Sequence, residues 1–208
     1  MQPLLSFQQS PPLLLFRPRT SITMAAFPDS FTLEAHPGTD IWRKPPTTND
    51  FNAPTKDHST LPRSHFLSAR ITFSGPWVQQ YDQGGLLLKL PSARNATARW
   101  LKTGVEYYNG APYISTVGCD NYSDWSIWPL TREEAEGEIT IEVRREGEGL
   151  WVYWVRGEGR GDQPLREVTW CFAEEGDVVV GAYAARPGRE VEGGLVVKFR
   201  GLEVEGKK

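Results

Sequence analysis

Along most of this chain apolar and polar residues alternate, with a period of two and not the three-to-four-residue recurrence of an amphipathic helix. Short β-branched and aromatic runs follow one another between Gly, Pro, Asn and Asp turn residues: HFLSARITF, PWVQQY, GGLLLKL, RWLKTGVEYY, PYISTVG, EITIEVRR, LWVYWVR, REVTWCF, DVVVGAYAA and LVVKFRGLEVE. Alternation sends successive side chains to opposite faces of a sheet, and turn signals every ~8–12 residues fit a sandwich or barrel. No ten-residue window carries a helical period, so the pattern predicts an all-β fold from about Phe31 to Val204, less than about a tenth of it helical. Asn109-Gly110 between VEYY and APYIS predicts a tight hairpin. Residues 44–62, KPPTTNDFNAPTKDHSTLP, are dense in turn formers and read as one long loop, a length often used for binding or as a lid.

Strand parity picks out candidate chemistry. In RWLKTGVEYY, Leu101, Thr103, Val105 and Tyr107 share one face, and Lys102, Gly104, Glu106 and Tyr108 share the other. The second face sets an ammonium and a carboxylate either side of a glycine hollow, with Lys102 and Glu106 roughly 13 Å apart at Cα. Such a row can address a polyhydroxyl ligand, or it can be a solvated row paired with neighbouring strands. In YDQGGLLLKL, Gln83, Gly85 and Leu87 oppose Asp82, Gly84 and Leu86, and the paired glycines mark either a bulge or a close approach to the backbone. The run CDNYSDWSIWPL offers Asp120, Asn121, Asp124, Trp125 and Trp128 just beyond a strand, where an aromatic ring with a polar rim suits a sugar. Trp77, Trp100, Trp151, Trp154 and Trp170 are expected in the core. Glu138 and Glu142 read as the wet side of a strand whose Ile139, Ile141 and Val143 face the core.

Composition narrows the classes. With 39% hydrophobic, 12% aromatic and 24% charged residues among 208, the chain can bury a sizeable core. A net charge of -3 lacks the basic footprint that nucleic acid or an anionic membrane surface requires. No apolar run approaches the ~18 residues of a membrane-spanning helix. Cys119 and Cys171 are expected as free thiols, and His36, His58 and His65 show no ligand spacing, so neither a metal nor another cofactor is predicted. Residues 1–23 contain Arg17 and Arg19 and no acid, and read as a disordered or targeting-like extension before a single domain over 24–208. A cytoplasmic location is expected, with a mitochondrial one through residues 1–23 as the alternative. The sequons at 95–97 and 121–123 are discounted for want of a secretory signal.

Four motifs carry a resemblance: TDIWRKPP (39–46), YDQGGLLLKL (81–90), WLKTGVEYYNGAPYISTV (100–117) and YSDWSIWPL (122–130). In these motifs, and over roughly Ala25 to Val204, the chain resembles the domain-of-unknown-function family of the yeast regulation-of-enolase proteins, in the concanavalin A-like lectin/glucanase superfamily. The resemblance implies a jelly-roll β-sandwich of two antiparallel sheets, with a concave sheet face where relatives in the superfamily bind or cleave carbohydrate. Its motifs fall on Asp40, Trp42, Arg43, Asp82, Gln83, Lys102, Glu106, Asp124 and Trp125.

Three functions follow as expectations. The first is a carbohydrate-binding module, its ligand a sugar or other small polyhydroxyl compound on the concave face. The second is a regulatory or protein-interaction scaffold, which needs no polar site. The third is a glycoside-active enzyme using Glu106, for which a second carboxylate, such as Asp82 or Asp124, has to arrive from another segment. A homodimer stays open.

Overall fold

The computed structural model describes residues 28–91, 98–157 and 159–207. The extension at 1–23 and the sequon at 95–97 lie outside them. Two six-stranded sheets face each other, every strand pairing within them antiparallel. The first runs β1 (Ser30–Ala35), β14 (Leu195–Gly206), β5 (Phe66–Ser74), β10 (Ile139–Glu146), β11 (Gly149–Val155) and β12 (Asp162–Val168). The second runs β4 (Thr55–Pro62), β13 (Asp177–Ala185), β6 (Gln83–Leu90), β7 (Arg99–Tyr108), β8 (Ala111–Cys119) and β9 (Ser123–Pro129). A hairpin of β2 (Ile41–Lys44) and β3 (Thr48–Phe51) stands apart from both. This is the expected all-β jelly-roll sandwich. Its one helix among the described residues, α1 (Arg132–Glu136), is a single turn started by a capping box of Thr131 and Glu134.

The core follows from the alternation. Ile139, Ile141 and Val143 of β10 and Leu150, Val152 and Trp154 of β11 meet Leu86, Leu88 and Leu90 of β6 and Leu101 and Val105 of β7 between the sheets. Each such side chain contributes about 1.5–3 kcal/mol by leaving water. The second sheet is covered on its other face as well. There Ile41 and Ala53 of the hairpin segment pack on Leu87, Trp100, Val117, Cys119, Tyr183 and Ala185. This accounts for the unbroken Leu86-Leu87-Leu88 run, whose outer leucines face the sandwich and whose middle one faces the hairpin.

Several local expectations need correction. Residues 44–62 are not one loop: they end β2 and form β3 and β4, and β4 pairs with β13 at the edge of the second sheet. Their polar composition belongs to strands exposed to water, which is how an edge is kept from pairing with other chains. PWVQQY is a turn and not a strand, because the Asp82 carboxylate accepts the backbone N–H of Val78 and Gln79 at 3.2 and 2.9 Å and Tyr81 takes a left-handed φ of 66°. Trp125 sits within a strand and not beyond one. The hairpin at 109–110 is present, with φ of 48° at Asn109 and 83° at Gly110, both positive as a type I′ turn needs. Both cysteines are free and buried. Trp77, Trp100 and Trp154 are buried as expected, whereas Trp151 and Trp170 are half-buried, Trp151 lying against Tyr153 with ring centroids 6.4 Å apart.

Candidate functional site

Lys102 and Glu106 leave β7 on the face turned away from the sandwich core, as parity required. Neither is a solvated row member: their relative exposures are 2% and 6%. Between them Gly104 is paired with Gly85 of β6. A Cβ built on Gly104 would overlap the carbonyl oxygen of Gly84, and one on Gly85 that of Thr103. The group approaching these glycines is therefore the neighbouring strand's own backbone, and the result is a bare floor between the two charged side chains.

Around that floor the polar groups fix one another. The Lys102 ammonium donates to Gln83 Oε1 at 2.6 Å and to Asp40 Oδ1 at 3.5 Å, and it lies 5.8–5.9 Å from the rings of Tyr183, Trp42 and Trp100. Gln83 Nε2 donates to the same Asp40 oxygen and to the Tyr81 carbonyl, both at 3.3 Å. Asp40 is held at the entry to β2, where its Oδ1 accepts the N–H of Ile41 at 2.7 Å and its own N–H donates to Asn52 Oδ1 at 2.7 Å. Burial pulls the Lys102 ammonium below its ordinary value, and the charges of Asp40 and Glu106 oppose that pull.

Glu106 has a different set of partners. Its Oε2 accepts from Ser115 Oγ at 2.6 Å and from Trp125 Nε1 at 3.0 Å. Burial raises this carboxyl above its usual range, opposed by the Lys102 charge and the Ser115 hydrogen bond. Burial also holds the Tyr183 phenol neutral beneath the site, well above its ordinary value. Together Asp40, Trp42, Tyr81, Gln83, Lys102, Glu106 and Trp125 line a cavity of about 300 Å³. Its wall offers an ammonium, two carboxyls and an amide beside two indoles and a phenol, a set suited to hydroxyl groups and C–H faces. Among the described residues, no group of three or more His, Cys, Asp or Glu could hold a metal ion.

Six of the nine residues singled out by sequence thus meet in one place, and three do not. Asp82 is fully buried, pairing with Arg186 through two 2.8 Å contacts that tie the start of β6 to the segment after β13. Arg43 is buried against the hairpin's own neighbours: its Nε donates to Asn49 Oδ1 at 2.8 Å, its Nη2 to the Ala98 carbonyl at 3.0 Å and its backbone N–H to Ser123 Oγ at 2.8 Å. Asp124 leaves β9 on the side opposite Trp125 and pairs with Arg166 of β12 at 2.5 Å. Neither Asp82 nor Asp124 joins Glu106, and the second carboxyl at the cavity is Asp40. Trp128 is 42% exposed on the edge strand and does not line the cavity. Ser115 and Tyr81 were missed. The Asn109-Gly110 hairpin fixes Glu106 opposite Tyr113, which places Ser115 on the cavity face by parity, so its signal was available. Tyr81 reaches the rim through a left-handed turn that no periodicity announces.

Comparison with known proteins gives the family and the fold. The family model described as Protein of unknown function (DUF1349) matches residues 22–207. An uncharacterized protein of Emericella nidulans is 42% identical over 180 residues, covering 86% of this chain and 87% of that protein. Regulation of enolase protein 1 of Saccharomyces cerevisiae is 28% identical over 95 residues, 46% of this chain and 44% of that one. Among solved structures, a GH43 protein of Bacillus licheniformis shares the fold with a TM-score of 0.56 at 14% identity, over 84% of this chain and 33% of that chain.

Proposed function

We propose that this chain, which belongs to the family described as Protein of unknown function (DUF1349), is a carbohydrate-binding module that takes a small polyhydroxyl ligand in the cavity on the outer face of its second sheet. The observation that carries the reading is the construction of the cavity. Lys102, Gln83 and Asp40 are locked to one another, and Glu106 to Ser115 and Trp125, before any ligand arrives. Pre-set polar groups among aromatic rings are how a concave site fixes the orientation of a polar ligand without ordering side chains at the moment of binding. Trp42 and Trp125 line the same cavity, where an indole ring can take the C–H face of a sugar ring. A solved GH43 protein with the same sandwich lends support at the level of fold.

Thermal unfolding of the chain against a glycan panel tests this. A ligand at 100 times its dissociation constant adds about 2.7 kcal/mol to stability, a shift that melting curves resolve. Glu106→Gln is expected to reduce that shift, because a hydrogen bond to a charged group is worth about 1.5–3 kcal/mol, or roughly ten- to a hundredfold in affinity. A panel with no shift would set the carbohydrate reading aside in favour of an interaction scaffold. Release of new reducing ends from a glycan that does bind would move the reading from binding to hydrolysis, with Asp40 and Glu106 as the carboxyls at the cavity.

A further inference from the structure

Along the strand direction the β2–β3 hairpin stands at one end of the cavity and a group of aromatic rings at the other. At the Lys102 end the hairpin of β2 and β3 is packed onto the sheet, with Ile41 against Trp100 and Val117 and Trp42 standing at the wall. Arg43 and Ser123 fasten it there through the backbone hydrogen bond at 2.8 Å. At the Glu106 end the next residue on the same face of β7 is Tyr108. Its ring meets Tyr81 at 5.9 Å between centroids and Trp125 edge-on at 5.0 Å, so the three rings stand side by side from the turn before β6 across to β9. Tyr113 backs Tyr108 at 6.3 Å. Gln83 on β6 and Trp125 on β9 line the cavity to either side of β7, on which Gly104 lies between Lys102 and Glu106.

A polymer binding through its interior needs a groove with two open ends. Here a chain running along the strands would strike the hairpin in one direction and the Tyr81–Tyr108–Trp125 barrier in the other. The volume of about 300 Å³ lies at the small end of ligand sites. We infer that the cavity accepts a single pyranose-sized unit entering end-on, either a free monosaccharide or the terminal residue of an oligosaccharide, and excludes internal units. This rests on the carbohydrate reading above and narrows it to a class of ligand.

The test is the dependence of binding on chain length. The intrinsic tryptophan fluorescence of the full chain is titrated with mono- to hexasaccharides of β-1,4-xylose, β-1,4-glucose, β-1,3-glucose, β-1,4-mannose and α-1,4-glucose. In whichever series binds, affinity is expected to level off by the disaccharide, to change less than about threefold from there to the hexasaccharide, and to saturate at one protein per chain at every length. A monosaccharide as good as the hexasaccharide identifies the free sugar as the ligand, and a disaccharide clearly better than the monosaccharide identifies a chain end; both support the inference. A gain of tenfold or more between disaccharide and hexasaccharide, or more than one protein per hexasaccharide, overturns it while leaving the carbohydrate reading intact. Absence of a response from all five series overturns both. Tyr108→Ala, which opens the barrier, is expected to bind the hexasaccharide at least threefold more tightly than the disaccharide; an unchanged length profile in a variant that melts like the parent overturns the assignment of the barrier.

Discussion

Lys102 and Glu106 sit four residues apart on one strand with opposite charges, yet each answers to a different neighbour. The ammonium leans to Gln83 and Asp40, and the carboxyl leans to Ser115 and Trp125. Glu106 is consequently a buried carboxyl whose direct hydrogen-bond donors are neutral, and desolvation dominates its titration. The folded protein holds this proton more tightly than the unfolded chain does. The stability it contributes is fully present below the unfolded value near 4.5 and is lost as pH rises through the higher folded value. Glu106→Gln abolishes that titration while keeping an oxygen for Ser115 and Trp125. The melting temperature of the variant relative to the parent should therefore move in the variant's favour between pH 4 and pH 8; a difference that stays constant over this range would refute the assignment.

At the scale of elements, the strands that build the site were legible because alternation carries two pieces of information at once, where a strand lies and which face each residue takes. Parity put Lys102 and Glu106 on one face of β7, and the register of Gln83 against Glu106 brings Gln83 to the same surface. The resemblance also drew in Asp82, Arg43 and Asp124, each next in sequence to a cavity residue and so turned away from it, and partners distant in sequence hold them there: Arg186 closes on Asp82, Ala98 on Arg43, and Arg166 on Asp124 from the opposite sheet. Edge strand β4 was illegible for a related reason, since an exposed strand has the composition of a loop. The glycines of β6 and β7 were visible as an anomaly but not as a mechanism. The register of Gly85 against Gly104 now makes them specific requirements of strand pairing. Gly104→Ala is expected to cost about 3 kcal/mol or more, because neither strand's backbone can yield without parting the centre of the sheet. Gly110→Ala, in the hairpin turn with nothing near its Cβ, should cost about 1 kcal/mol from its positive φ alone. Urea unfolding of the two variants measures the contrast, and similar losses would show that the β6–β7 contact is not the constraint.

The molecule as a whole has two apolar clusters separated by the second sheet, and they are held very differently. The larger lies between two six-stranded sheets, whereas the smaller is covered by the hairpin of β2 and β3, two four-residue strands that, among the described residues, pair only with each other. A cover with so few partners can open while the sandwich stays closed, because opening costs only the contacts of that element. Each cluster contains one buried thiol, Cys119 beneath the hairpin and Cys171 in the sandwich core. Burial raises both, Cys171 to about 12, so neither reacts as a thiolate until its surroundings open. Native-state labelling with an excess of a thiol reagent, followed by mass analysis of each site, therefore reads the two openings separately. Cys119 should modify faster than Cys171. Ile41→Ala, which removes a fully buried side chain from the hairpin's underside, should accelerate Cys119 further and leave the sandwich opening that governs Cys171 nearly unchanged. If both thiols speed up together in that variant, the hairpin and the sandwich open as one unit, and the wall at the Lys102 end of the cavity is as firm as the sheet beneath it.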